Sequence, residues 1–301
     1  CEMCIRDSHW ATTTDIFDRS YDPKMIIHFH RYGCVPDLGS YRTFLDLSAR
    51  LDRPLWLGET GENRLEWYAA MYPLSEELGI GYNLWPWKKM ECVNSPCSIP
   101  APEGWEEIIG YAKGGRHPGY ERAQHILDAY LENMAVGNCR IQESVTAHVF
   151  RTPGCILRAT DFDEFPGRGQ SYSGLREDEN PFEYRVGTGM GIVERYPQAG
   201  NPHGFDSRWN RFVLSLKPGE FACYTVYGVI DQTRLEIHGY GLEPTEVEIS
   251  QDDRVLDRFT LGKVPVEQII SGLRLRSADR SVLRIRVLSG HAEFDSLAFG
   301  L

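Results

Sequence analysis

Three short apolar runs, each followed by an amphipathic stretch, constrain this chain more than any other feature. Lys24-Met-Ile-Ile-His-Phe-His30 is largely apolar and holds β-branched residues, as a strand covered on both faces requires. Residues 40–53 then place Tyr41, Phe44, Leu45 and Leu51 at helical spacing, and Pro54 ends the helix. Leu55-Trp-Leu-Gly58 is the next strand. A helix is expected over 63–79, with Asn63 as its cap and Gly79 as its stop. Residues 80–87 give a third strand and 104–113 a third helix. His30 and Glu59 stand 29 residues apart, and Glu59 and Trp85 stand 26 apart. That is one strand–helix step each time, so the strands are expected to run parallel with crossover helices between them.

The texture changes further on. A helix over 120–134 puts Ala123, Ile126, Leu127, Tyr130, Leu131 and Met134 on one side and reads as a closing or bridging helix. From residue 140 onward short alternating or β-rich runs recur: 211–216, 221–227, 233–238, 245–250 and 281–287. Turn signals separate them by about ten residues, which is the spacing of a sandwich. The expected organisation is an α/β part over 8–137 and an all-β part over 138–301. Residues 1–7 show no helical or strand period, and Met3 to Asp7 reads like the translation of a transposon end used to build sequencing libraries. The expectation is a cloning scar at 1–7, which makes the chain a fragment.

Composition removes several classes of function. The net charge is −11, whereas phosphate backbones call for clustered Lys and Arg, so nucleic acid is not an expected partner. No apolar run approaches the roughly 20 residues that span a bilayer, so no membrane partner is expected. Outside the suspected scar the cysteines are Cys34, Cys92, Cys97, Cys139, Cys155 and Cys223. They form no CxxC pair and no zinc spacing. Cys92 and Cys97 are close enough in sequence to bridge, and free buried thiols are an equal alternative.

The chemistry falls at the strand ends, where barrels of alternating strands and helices carry their working groups. His30 with Tyr32, then Glu59, then Trp85 occupy those ends. A carboxylate after Leu-Trp-Leu-Gly is expensive to bury without a purpose. Glycoside hydrolysis with retention uses two carboxyl groups about 5 Å apart, one attacking the anomeric carbon and one protonating the leaving oxygen. His and Tyr donors can hold the attacking carboxylate ionised and aimed. An indole offers a flat floor for the apolar face of a sugar. Of Trp85 and Trp87, one is expected in the core; Trp56 is expected there too, and Glu62 and Glu66 on a solvated helix face.

His28-Phe-His30-Arg-Tyr32, Gly58-Glu59-Thr-Gly61 and Gly81-Tyr-Asn-Leu-Trp85-Pro-Trp-Lys88 together resemble the sixth to eighth strands of glycoside hydrolase family 5, the cellulase-like barrels of clan A. The resemblance covers roughly residues 8–115. It implies the C-terminal part of a TIM (β/α)₈ barrel and a retaining endo-acting β-glycanase. It implies Glu59 as nucleophile, His30 and Tyr32 as its partners, and Trp85 in the subsite of the scissile sugar, with Trp87 as the fallback. His9-Trp10 resembles the tail of the loop after strand five, which makes Trp10 a further sugar contact. The family's acid/base Glu follows an Asn at the end of strand four. No Asn-Glu here fills that role, so this chain is expected not to turn over substrate by itself. A noncatalytic carbohydrate-binding protein on a degenerate barrel is the alternative.

Residues 156–163, Tyr184-Arg185, 217–224 and the ending 292–300 are similar to carbohydrate-binding modules of the family 6 and 35 type, which are jelly-roll sandwiches. That likeness implies sugar stacking at Trp209 and Tyr184 and a structural calcium at Asp161, Asp163 and Glu164. Catalysis itself implies no cofactor. The expected partner is a β-linked polysaccharide or oligosaccharide, the expected state a monomer, and the expected location outside the cytoplasm.

Overall fold

The computed structural model describes residues 12–163, 185, 188–195, 211–263 and 268–300. The first part is built on β1 (Ile27–Arg31), β2 (Leu55–Gly61) and β3 (Gly81–Trp85), which form a parallel sheet in that order. Two helices, α1 (Arg42–Leu51) and α2 (Leu65–Glu77), cover one face. Ile27, Phe29 and Leu57 of that face are fully buried among Tyr41, Phe44, Trp67, Tyr68, Met71 and Tyr72. Phe29 stacks on Phe44 at 4.3 Å and meets Tyr41 edge-on at 5.9 Å. Each such side chain contributes about 1.5–3 kcal/mol by leaving water. The strand–helix cadence is therefore present, but the three strands form an open sheet with β1 and β3 as its edges.

Helix boundaries differ from expectation for local reasons. Asp37 Oδ1 accepts from Ser40 N at 3.1 Å and starts a 3₁₀ turn at Leu38–Tyr41 ahead of α1. Asn63 does not cap α2. Its Oδ1 accepts from Arg64 N at 2.8 Å, and the helix begins at Leu65. Gly79 takes φ +67° and closes that helix, as expected of a left-handed terminator. Past β3 the chain adds β4 (Lys88–Met90), β5 (Cys97–Ile99) and β6 (Arg140–Ile141), a small sheet that the sequence reading did not contain. Between its strands lie α3 (Trp105–Ala112) and α4 (Tyr120–Asn133). α3 has no buried residue, and α4 buries only Ile126; the apolar stripe expected on α4 leaves Leu131 63% exposed.

The rest is a sandwich of two sheets. β10 (Phe221–Val229), β15 (Ala278–Ser289), β12 (Thr245–Gln251) and β13 (Arg254–Leu261) make one, in that order. β14 (Gln268–Arg274), β11 (Arg234–Gly241), β16 (Ala292–Gly300), β9 (Phe212–Leu216) and β8 (Gly191–Glu194) make the other, with β7 (Ile156–Arg158) also on β16. Burial alternates residue by residue along β11, the signature of a half-covered antiparallel strand. Leu235, Ile237, Phe294 and Phe299 of one sheet and Tyr224, Val247, Ile249 and Ile285 of the other belong to one continuous core.

A short helix, α5 (Glu143–Phe150), and the residue after it tie the two parts together. Pro73 inside α2 has no N–H for the Ala69 carbonyl one turn back. Arg151 Nε donates to that carbonyl at 2.7 Å. The same guanidinium pairs with Asp163 at 3.3 Å and donates to the Asp161 carbonyl at 3.1 Å. Thr225 donates to the other Asp163 oxygen at 2.7 Å. All six cysteines among the described residues are free; Cys92 Sγ donates to Asn94 Oδ1 rather than bridging to Cys97. Among the described residues no helix is long and apolar enough to cross a membrane.

Candidate functional site

The open face of the three-stranded sheet depends on one extra residue. Phe29 pairs with Leu57, but the next residue, His30, pairs with Glu59. On the other side Leu57 pairs with Tyr82 and Thr60 with Leu84, the same one-residue surplus in β2. Gly58 is thus the inserted residue of a bulge. Strict alternation would turn Glu59 toward the helices, where Leu57 lies. With the bulge, Leu57 and Thr60, three apart, are both fully buried on the helix side, and Glu59 comes out on the open face beside His30.

There the predicted residues converge. Tyr32 OH donates to Glu59 Oε2 at 3.0 Å, and His30 Nδ1 lies 3.5 Å from the same oxygen. The His30 side chain is 9% exposed and that of Glu59 36%, so a buried donor backs an accessible carboxylate. Burial first, and then the bond to Glu59, hold the Tyr32 phenol well above its ordinary value. The group is therefore a proton donor at any working pH. Trp85 ends β3 across from Gly61, and a Cβ on Gly61 would stand 2.1 Å from the Trp85 carbonyl oxygen. Only glycine permits that approach.

Three tryptophan expectations change. Trp85 is 50% exposed and Trp87 55%, so neither is core. Trp56 is 40% exposed and lies on the open face over Gly81, whose Cβ would meet the indole at 2.2 Å. The helix-covered side of β2 is indeed the core, but alternation gives that side to buried Leu55 and Leu57 and turns Trp56 to the open face. Glu62 is not on a helix: it precedes α2 at φ +49° and pairs with Lys89 at 2.7 Å. A cleft of about 430 Å³ is lined by Tyr82, Asn83, Leu84, Trp87, Val149 and Phe150, so Trp87 borders α5 as well as β3.

Trp10, Tyr184, Trp209 and Glu164 lie outside the described residues. Asp161 and Asp163 are buried. Asp163 faces the Arg151 guanidinium, a positive neighbour that opposes a second cation on the same carboxylate. Among the described residues no group of three His, Cys, Asp or Glu is arranged to hold a metal ion.

No protein-family model matches the sequence, and no curated protein matches it. Solved structures do share part of the shape. A family 43 arabinoxylan arabinofuranohydrolase from Bacillus subtilis aligns at TM-score 0.34 and 8% identity, over 50% of this chain and 27% of that one. A family 6 carbohydrate-binding module from Clostridium stercorarium, solved with cellobiose, aligns at 0.33 and 14%, over 48% of this chain and 92% of the module. A family 36 module solved with calcium and xylotriose aligns at 0.30 and 11%, over 48% and 98%. The chain thus spans about a quarter of that hydrolase and nearly all of each module.

Proposed function

We propose that this chain binds β-linked glycans on the open face of β1–β3, with Glu59 at the nucleophile position of a retaining glycoside hydrolase of the family 5 kind. The observation that carries this reading is the convergence of Tyr32 and His30 on one Glu59 oxygen beside exposed tryptophans. A carboxylate held by two donors on a half-open floor suits a developing positive charge at an anomeric carbon. Trp85, Trp87 and Trp56 supply apolar flats for sugar rings.

In this chain the reading is noncatalytic. Retention needs a second carboxyl group about 5–5.5 Å from the first to protonate the leaving oxygen. The described contacts of Glu59 come from Tyr32 and His30, which steady an anion. The sandwich that begins at β7 is read as a carbohydrate-binding partner of the α/β part, the whole acting as a monomer outside the cytoplasm.

Titration calorimetry with cellohexaose, xylohexaose and mannohexaose tests the reading. At least one should bind, and Trp85→Ala with Trp87→Ala should weaken it roughly tenfold, the worth of one aromatic platform. Undiminished affinity in that double variant would remove the site. Release of reducing sugar from β-glucan or β-mannan that Glu59→Gln abolishes would overturn the noncatalytic part.

A further inference from the structure

Gly58 does more than shift the register. An added Cβ there would stand 1.2 Å from His28 Nε2, 2.0 Å from its Cδ2 and 2.5 Å from its Cε1. The His28 imidazole therefore lies across the bulge, in the space a side chain at 58 would take. From that seat it meets the His30 ring edge-on, with centroids 4.9 Å apart and planes at 76°. His30 in turn presents Nδ1 to Glu59. The His28 backbone pairs with Trp56, two positions before the bulge.

We infer that His28 is a positioning residue: seated in the notch of Gly58, it fixes the His30 ring so that Nδ1 meets Glu59. The inference rests on the reading of Glu59 as the glycan-facing carboxylate, and it assigns the glycine of Gly-Glu-Thr-Gly a second role beyond backbone freedom. Gly58 must lack a side chain both for the bulge and for the imidazole that fills it. A flat ring at 28 is required; its titration is not, since the contact with His30 is a ring edge on a ring face.

The test reads the His30–Glu59 coupling directly in the full chain. Nine histidines are labelled with ¹³C, and His30 is assigned by the loss of its signal in His30→Asn. Glu59, His28 and, through the shared carboxylate, Tyr32 face His30; Arg31 turns to Ser40 and Phe44 on the helix side. Glu59→Gln should lower the His30 midpoint by about one pH unit, because the imidazolium loses its counter-charge. In a His28→Ala background the same replacement should move it by less than half as much. His28→Phe, which keeps a flat ring over Gly58, should restore the full shift. A role in stability alone would leave the coupling intact in His28→Ala while lowering the melting temperature.

Full coupling in His28→Ala, or its loss in His28→Phe, overturns the inference. Glycan titration of the same proteins separates the two claims. Normal coupling behaviour with no glycan bound by the parent chain removes the functional reading and leaves the positioning role standing. Glycan binding that ignores His28→Ala, with coupling unchanged, does the reverse.

Discussion

Two donors converge on one oxygen of Glu59, and that convergence sets the carboxylate apart from an ordinary surface acid. Tyr32 is the stronger of the two by geometry, at 3.0 Å against 3.5 Å for His30. A bond to a charged group is worth about 1.5–3 kcal/mol. A 2-deoxy-2-fluoro-β-glycoside with a dinitrophenolate leaving group needs no proton donor to lose its aglycone, so it reports the nucleophile alone. Tyr32→Phe is expected to slow labelling of Glu59 by such a probe roughly tenfold or more, followed by mass spectrometry. Equal rates would show that Tyr32 does not orient the carboxylate. The residue types at this site were legible in the sequence, because His, Tyr, Glu and Trp at strand ends are rarely placed there by packing alone. The bulge was not. Gly58 reads like any glycine, and whether it is an inserted residue depends on the register of β1 and β3, which lie 23 or more residues away.

At the level of elements, the cadence of strand and helix was legible because it repeats locally and each helix buries one stripe. The small sheet β4–β6 was not, since its strands are two or three residues long and Cys97 finds its partner Ile141 across two helices. The join between α2 and the sandwich was also hidden. Pro73 announces a lost hydrogen bond, but nothing near it in sequence announces Arg151 as the replacement donor. Arg151→Met should cost about 3–5 kcal/mol, chiefly by leaving the Asp163 carboxylate buried without its cation. Pro73→Ala restores the helical N–H to Ala69, so Arg151→Met in that background should cost about 1 kcal/mol less, measured by urea denaturation. Additive losses would mean that the carbonyl contact contributes nothing. His148 on α5 gives a second check. Its Nδ1 donates to the Ser144 carbonyl at 2.6 Å and its Nε2 accepts from Ile156 N at 3.0 Å, the pattern of a neutral ring. Burial lowers its affinity for a proton, so the unfolded chain binds that proton first as pH falls below 6.5. Stability should therefore drop from pH 7 to pH 5 in the parent chain, and His148→Gln should flatten that drop.

Across the whole molecule the α/β part and the sandwich share one core and one buried ion pair, so a single unfolding transition is expected. Burial raises Cys34 to about 11 and Cys155 to about 12, and pushes Tyr41 and Tyr72 well above their ordinary value. These groups keep protons in the folded state that the unfolded chain releases above pH 9–10. The folded state then binds more protons, so stability should fall as pH rises from 9 to 11. A denaturation midpoint unchanged over that window would contradict the burial of these groups. The broad plan, parallel strands followed by a sandwich, followed from periodicity; the open face of the first sheet did not, because alternation tells which residues share a face and not which face is covered. The central claim is that Glu59 stands on that open face as a glycosidase nucleophile. Incubation of the full chain with 2,4-dinitrophenyl 2-deoxy-2-fluoro-β-cellobioside, followed by peptide mapping, tests it most directly. One adduct on Glu59, absent in Glu59→Gln, is the predicted result; no adduct at saturating probe, or an adduct elsewhere, would contradict it.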